Sequence, residues 1–494
     1  MKTSYKYIIS IFASLMLITG CEDFLEKNPQ GKLTQEVFPS TASDALLATN
    51  AVYATVRDWS FNSGGFPILD VMSDDAHKGS NPNDQLPNVG PYDNFTFTTT
   101  ADGLDRWWST LYQGIKRANV VIEKVPALSF DENLKTRYVA EASFLRALFY
   151  FDLVRAWGEV PVVTSATPPL KLAKSDTSVV FDLIIEDLTY AKDNLPLKDE
   201  YGAKDLGRAT KGAAQAYLAK VYLFRKDFAN AAKYALEVIN SDKYELEPNF
   251  EDANSLLGEN GIESVFEVGA LSLEGTPGNQ YANTQGVRGS PNRGWGFNRP
   301  SINLRDSFEP GDPRMQATII FLGETLNEVE ILGDGTTPDQ TLDALNNVVE
   351  IECYNQKVWI PGNNTITQWG HNRRLMRYAD VLLIAAEALN EDNNPGDALV
   401  YLEEVRARAR AGNASILPEI TETGKDALRD LILEERRHEL AMEQHRFWDL
   451  VRTGKAEAVL GPLGFQAGKH DYFPIPQSEV DISQGSLEQN TFWQ

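Results

Sequence analysis

The chain of 494 residues is long enough for one large domain or two to three ordinary ones with a sizeable core, which excludes a small disulfide-stapled scaffold. Hydrophobic residues at 42%, aromatics at 10% and mixed charges at 23% describe a folded globular protein and exclude extended disorder. With 46 Lys and Arg against 70 Asp and Glu, the net charge of −24 excludes a phosphate-tracking nucleic-acid binder and a polybasic membrane reader.

Lys2 and Lys6 precede an apolar run over 7–18 that is too short to span a bilayer permanently but suits the core of a secretory signal over 1–20. Leu17-Ile18-Thr19-Gly20-Cys21 resembles a bacterial lipobox, so the mature chain is expected to start at an acylated Cys21. Several acyl chains at ~0.8 kcal/mol per buried CH₂ would anchor it without a transmembrane helix. Residues 21–33, with Asn28-Pro29 and Gly31, read as a tether.

Helical periodicity dominates the chain beyond the tether. The pattern over 44–57 has Ser43 or Asp44 as its N-cap, and 111–125 ends at Pro126. The strongest early pattern, 137–157, stacks Ala140, Phe144, Ala147, Leu148, Phe151 and Val154 at three- and four-residue spacing. Helices are predicted at 179–194, 211–225 and 228–241 as well. An internal repeat pairs Ala219 and Ala232 with Ala385 and Ala398, each pair flanking a polar turn between two helices. Small residues at that spacing let antiparallel helices approach closely, as in a tetratricopeptide-like unit. The fold class is therefore mainly α, a tetratricopeptide-like superhelix with long loop-rich insertions and a few short strands. Such a scaffold holds partners more often than it performs chemistry.

This pattern divides the chain into an N-terminal helical part over 34–257 that contains a ligand loop at 59–100, a loop-rich insertion over 258–370, and a C-terminal helical part over 371–494. The insertion carries strand-like runs at 263–268 and 348–353. Long connections inside a compact body are usually functional. These ones contain Trp59, Tyr92, Tyr281, Trp295, Phe297, Trp359 and Trp369.

Enzyme templates fail in turn. There is no G-x-S-x-G elbow, and the glycines at 207–212 and 454 lack the rest of a P-loop. His438-Glu439 starts like a zincin helix, but the next histidine, His445, is too far along for one metal, and Cys21 and Cys353 form no Cys/His cluster. Neither a metal nor a cofactor is expected, and Cys353 reads as an unpaired packed residue. A carbohydrate ring has an apolar face and a rim of hydroxyls, matched by an aromatic plane flanked by Asn, Asp, Arg or Gln. Three groups have that composition: Trp295 with Arg288, Asn292 and Arg293; Trp59 and Tyr92 with Asn83, Asp84 and Asn94; and Trp369 with Asn363 and Asn364. Tyr281 lies beside the first.

Several stretches together resemble the SusD-like (RagB/SusD) family of Bacteroidetes surface lipoproteins. They run from Cys21-Glu22-Asp23-Phe24-Leu25-Glu26, through Ala140-Glu141-Ala142-Ser143-Phe144-Leu145-Arg146-Ala147 and Trp157-Gly158-Glu159-Val160-Pro161, to Arg377-Tyr378-Ala379-Asp380 and Glu435-Arg436-Arg437-His438-Glu439-Leu440. Arg446-Phe447-Trp448-Asp449 and Phe473-Pro474-Ile475-Pro476 complete the set. The resemblance implies an outer-membrane lipoprotein facing the cell exterior. It captures an oligosaccharide or polysaccharide and delivers it to a SusC-like TonB-dependent transporter, without catalysis. It also implies that Arg146, Arg377, Arg437 and Trp448 are scaffold residues. Two alternatives remain open at this point, a peptide-capturing relative and a surface glycoside hydrolase using Asp74, Asp75 or Asp84.

Overall fold

The computed structural model describes residues 38–169, 171–270, 280–361 and 370–494. The signal segment, Cys21, the tether, and Asn363, Asn364 and Trp369 of the third aromatic group lie outside the described residues.

Helix α1 (Ala42–Val56) opens on a capping box in which Thr41 Oγ1 accepts from the Asp44 amide and the Asp44 carboxylate accepts from the Thr41 amide, both at 3.1 Å. The cap thus falls on Thr41, because the reciprocal bond needs the acid three residues on. Helix α2 (Asp102–Lys124) starts ahead of the predicted 111, since Leu104, Trp107 and Trp108 already continue the buried stripe of Leu111, Ile115 and Ala118. Helix α3 (Glu132–Trp157) is capped by Asp131 and stopped at Gly158, whose φ of 72° a side-chain-bearing residue rarely adopts. It is buried on nearly every side, with α2 and α4 (Thr177–Asn194) packed along it. Arg146 ties the three: it donates to Asp187 at 2.8 Å through Nε and Nη2, and to Asn119 at 2.7 Å.

The repeat appears as two helical hairpins, α5 (Lys211–Phe224) with α6 (Phe228–Ile239), and α7 (Tyr378–Glu391) with α8 (Pro395–Arg410). Ala219, Ala232, Ala385 and Ala398 are all buried, and α6 packs against α7, so the two hairpins form one continuous superhelix across the long insertion. Helix α9 (Lys425–Leu440) closes it against α7.

Short antiparallel pairs frame the insertion. Strand β1 (Ala76–Gly79) pairs with β3 (Phe297–Pro300), β2 (Ser264–Val268) with β6 (Arg373–Arg377), and β4 (Ile319–Phe321) with β5 (Cys353–Asn355). Cys353 is a free, buried thiol on β5. The loop predicted at 59–100 instead carries 3₁₀ turns and the helices Ile68–Val71 and Leu86–Asp93.

A buried ion network bolts α7, α8 and α9 to this frame. Arg377 donates to Glu439 at 3.0 Å, to Glu443 at 2.8 Å and to Glu263, while Arg408 donates to Glu263 at 3.0 Å. A buried cation with that many acceptors is stable only as a complete set. Burial works against the charge on Glu439, but Arg408, Arg377 and Arg314 outweigh it and hold its carboxyl at about 2.

Candidate functional site

The first two aromatic groups converge. Trp59 heads a 3₁₀ turn capped by Asp58, and the chain then reverses through Gly64 and Gly65 with φ of 84° and 112°. A Cβ on Gly65 would lie 2.7 Å from the Trp59 indole, and one on Gly64 would lie 1.9 Å from the Gly103 carbonyl oxygen. Only glycine lets the indole rest on that backbone. Arg106 lays its guanidinium 5.4 Å from the Trp59 ring and donates to the Gly64 carbonyl at 3.0 Å, fixing the turn against α2.

Trp295 arrives from the insertion. Its amide donates to the Asn283 carbonyl at 2.9 Å, and the Arg293 and Gly296 amides donate to Val287 and Gly286 at 2.8 and 3.0 Å, so the loop is folded tightly on itself. Trp295 meets Trp59 edge to face at 6.3 Å and 87°. Beneath them Trp59 packs on Phe66 at 5.4 Å, and Phe66 on Phe297 at 4.9 Å. Both tryptophans are half-buried and pack against the main hydrophobic core.

The rim is ionic. Arg288 donates to Ser80 Oγ at 2.7 Å and pairs with Asp84 and Asp334, while the Ser80 amide donates to the Gly296 carbonyl at 2.6 Å. Arg288 and Asp84, assigned from sequence to different groups, are thus one clamp between the two loops. Arg293 is buried at 3% exposure, its guanidinium 5.0 Å from the Trp359 ring, and Trp359 Nε1 donates to Asn327 Oδ1 at 2.8 Å. Among the described residues its Nε and Nη1 have no acceptor. Asn83, Asn94 and Asn292 are exposed, and Asn94 accepts from Thr96 at 2.5 Å.

Two expectations are corrected. Tyr92 is 1% exposed and stacks on Phe97 at 5.2 Å, so it is core and offers no face to a ligand. Tyr281 is 7% exposed, packed with Ala282, Val358 and Ile360 under Arg373 at 5.1 Å. Both were drawn into the candidate set by lying in Gly- and Asn-rich stretches, but Tyr92 is covered by Phe97 five residues on, and Tyr281 by Val358 and Ile360 of a segment distant in sequence. Sequence reasoning left Phe66, Arg106, Asn327 and Trp359 out of the site. Only Trp359 carried a signal, an aromatic in a polar loop.

The carboxylates considered for hydrolysis are engaged. Arg446 donates to both oxygens of Asp74 at 2.8 and 2.9 Å, and Arg437 donates to Asp75 at 2.7 Å. Burial works against the charge of Asp74, but those arginines outweigh it and lower its carboxyl below the ordinary value. His438 stacks on Phe308 at 4.9 Å, and His445 lies 3.4 Å from Lys220. Among the described residues no three His, Cys, Asp or Glu side chains gather as metal ligands, and no helix is long and apolar enough to cross a membrane.

Comparison with known proteins bears on this arrangement. The profile described as "SusD family" matches residues 262–493, and the one described as "Starch-binding associating with outer membrane" matches 23–223. The chain is 32% identical to SusD-like protein P2 of Formosa agariphila over 96% of this chain and 97% of that protein. It belongs to the SusD family. A SusD-like protein of Bacteroides ovatus is 29% identical over 90% of this chain and 82% of its own. Among solved structures, a laminarin binding SusD-like protein superposes with a TM-score of 0.77 at 30% identity, covering 92% of this chain and 99% of that one. Surface glycan-binding protein A of Bacteroides thetaiotaomicron, in complex with laminarihexaose, superposes with a TM-score of 0.75 at 25% identity, covering 91% and 100%.

Proposed function

We propose that this SusD-family protein captures a glycan at the outer face of the outer membrane, anchored through an acylated Cys21, and passes it to a SusC-like TonB-dependent transporter without making or breaking bonds. The observation that carries the reading is the paired, half-open indoles of Trp59 and Trp295, set on a polar rim of Arg288, Asp84, Asn83 and Asn292. Indole planes take the C–H face of a sugar, and the rim takes its hydroxyls. Trp359 with Asn327 extends the same chemistry along the insertion, while the buried Arg293 supports the Trp359 ring from 5.0 Å and is not itself a ligand contact. The glycans bound by the two structural relatives, laminarin and laminarihexaose, support the ligand class and make laminarin the first probe. Outer-membrane placement draws on the lipobox and on the profile matched over 23–223.

The mature chain should be screened by affinity electrophoresis and calorimetry against laminarin, other plant and microbial glycans, and a peptide mixture. Saturable retention by one glycan class, weakened in Trp59→Ala and Trp295→Ala, is the expected result. Retention of peptides alone would overturn the glycan reading while leaving the family intact.

A further inference from the structure

The platform is assembled from two chain segments more than two hundred residues apart, and one carboxylate joins them. Asp70 lies on the short helix Ile68–Val71, which follows the Trp59 turn and Phe66, and it is 1% exposed. Its Oδ2 accepts from Asn298 Nδ2 at 2.9 Å, and its Oδ1 accepts from the Gln444 amide at 2.8 Å. Asn298 directly follows Phe297, three residues beyond Trp295. Its side-chain amide also donates to Gln285 Oε1 at 2.7 Å, an oxygen that accepts in turn from Asn355 at 2.9 Å. On the other side, Gln444 Nε2 donates to Asn62 Oδ1 at 2.7 Å, and Ser63 Oγ donates to Gln444 Oε1 at 2.9 Å. Asn62 and Ser63 continue the Trp59 turn itself.

Three residues of this chain of bonds, Ser63, Asn298 and Gln444, sit at φ of 51°, 58° and 65° without being glycine. Such backbones persist only where the surroundings over-determine them, and they concentrate at functional sites. We propose that Asp70 is the positioning residue of the ligand platform, its two oxygens holding the Trp295 segment directly and the Trp59 turn through Gln444, so that the indoles meet edge to face. The inference rests on the glycan-capture reading of that platform.

The electrostatics separate this role from a merely structural one. Burial, with Asp75 adding to it, pushes the Asp70 carboxyl up to about 7 against the pull of Asn298, Gln444 and Arg373. The other charges on elements packed against Ile68–Val71 are engaged: Asp75 with Arg437 at 2.7 Å, His77 with Asp93 at 3.3 Å, Arg299 with Glu350 at 3.2 Å, and Arg446 with Asp74 at 2.8 Å. Lys78 Nζ donates to the Gly79 carbonyl at 2.8 Å, and Asp449 accepts from Arg436 at 3.1 Å. A carboxyl raised in the folded state binds its proton more readily there than in the unfolded chain. Asp70 therefore destabilises the fold progressively as pH rises from its ordinary value of 3.8 to about 7. Protonation also turns one acceptor oxygen into a hydroxyl, which no longer serves both N–H donors.

The test measures laminarin affinity, melting temperature and near-ultraviolet circular dichroism of the full mature chain, its Asp70→Asn variant and its Trp295→Phe variant at pH 8 and pH 5.5. At pH 8, Asp70→Asn is expected to bind laminarin about tenfold more weakly, the scale of one lost hydrogen bond to a charged group. It should melt no lower than wild type, and it should lose the part of the dichroism spectrum that Trp295→Phe also removes. Wild-type affinity should fall between pH 8 and 5.5, and Asp70→Asn affinity should stay flat. An Asp70→Asn variant that keeps wild-type affinity and the tryptophan signal would overturn the proposal, as would one whose binding loss is matched by a lower melting temperature at pH 8. If wild type does not bind laminarin, that arm counts against the glycan reading, and the dichroism comparison still decides the role of Asp70.

Discussion

The helical superhelix and the tryptophan platform carry their ion pairs at different depths. In the superhelix the arginines that tie helices together are deeply buried: Arg146 makes three bonds to Asp187 and Asn119, and Arg377 reaches Glu263, Glu439 and Glu443. On the platform, Arg288, Asp84 and Asp334 pair while partly exposed, and Trp59 and Trp295 are only half-buried. Buried ion pairs hold a scaffold together as complete sets, whereas partly solvated pairs and half-buried aromatics leave a surface that a ligand can reach.

The largest effect that would break this contrast is on the scaffold side. Arg377→Met should cost about 3–5 kcal/mol, because three buried carboxylates lose their shared cation, and denaturant unfolding should show the midpoint collapse. An unchanged midpoint would mean that the network is ornamental. Acid sharpens the same point. Glu439, held at about 2 against an ordinary 4.5, contributes stability that is fully present above pH 4.5 and is lost as pH falls towards 2. Melting followed from pH 6 to 2 should therefore decline chiefly below 4.5, whereas Asp70 acts with the opposite sign between 3.8 and about 7.

Smaller effects belong to the platform. Gly65→Val places a side chain at φ of 112° and within 2.7 Å of the Trp59 indole, so about 1–3 kcal/mol of stability should be lost together with binding. Trp295→Ala should weaken glycan binding about tenfold, near 1.4 kcal/mol, while melting falls only slightly; a fall of many degrees would make Trp295 core instead. Arg288→Gln should be the mildest, costing at most about 1 kcal/mol because the clamp to Asp84 and Asp334 is partly solvated, and calorimetry should detect only a modest change in affinity.

The superhelix was legible in the sequence because its signal is local. The stacked positions from Ala140 to Val154 repeat at helical spacing, and the alanine pairs at 219/232 and 385/398 mark the hairpins within a single stretch of chain. The site was legible only in part. Trp59, Trp295, Arg288 and Asp84 stand out as aromatics and ions in Gly- and Asn-rich loops, but that composition says nothing about what crosses over them. Tyr92 and Tyr281 share the composition and are core, because Phe97 covers one, and Val358 and Ile360 cover the other. Asp70 was invisible for the same reason: its meaning comes from Asn298 and Gln444, which no spacing rule connects to it.

The central claim is that Trp59 and Trp295 form one glycan platform on an independently stable scaffold. Laminarin titration of the mature wild-type chain beside Trp295→Ala, with melting temperatures recorded on the same samples, tests it most directly. Saturable wild-type binding, about tenfold weaker in the variant at nearly constant melting temperature, is the predicted result. Equal binding by the two proteins, or a binding loss that tracks a large drop in melting temperature, would contradict it.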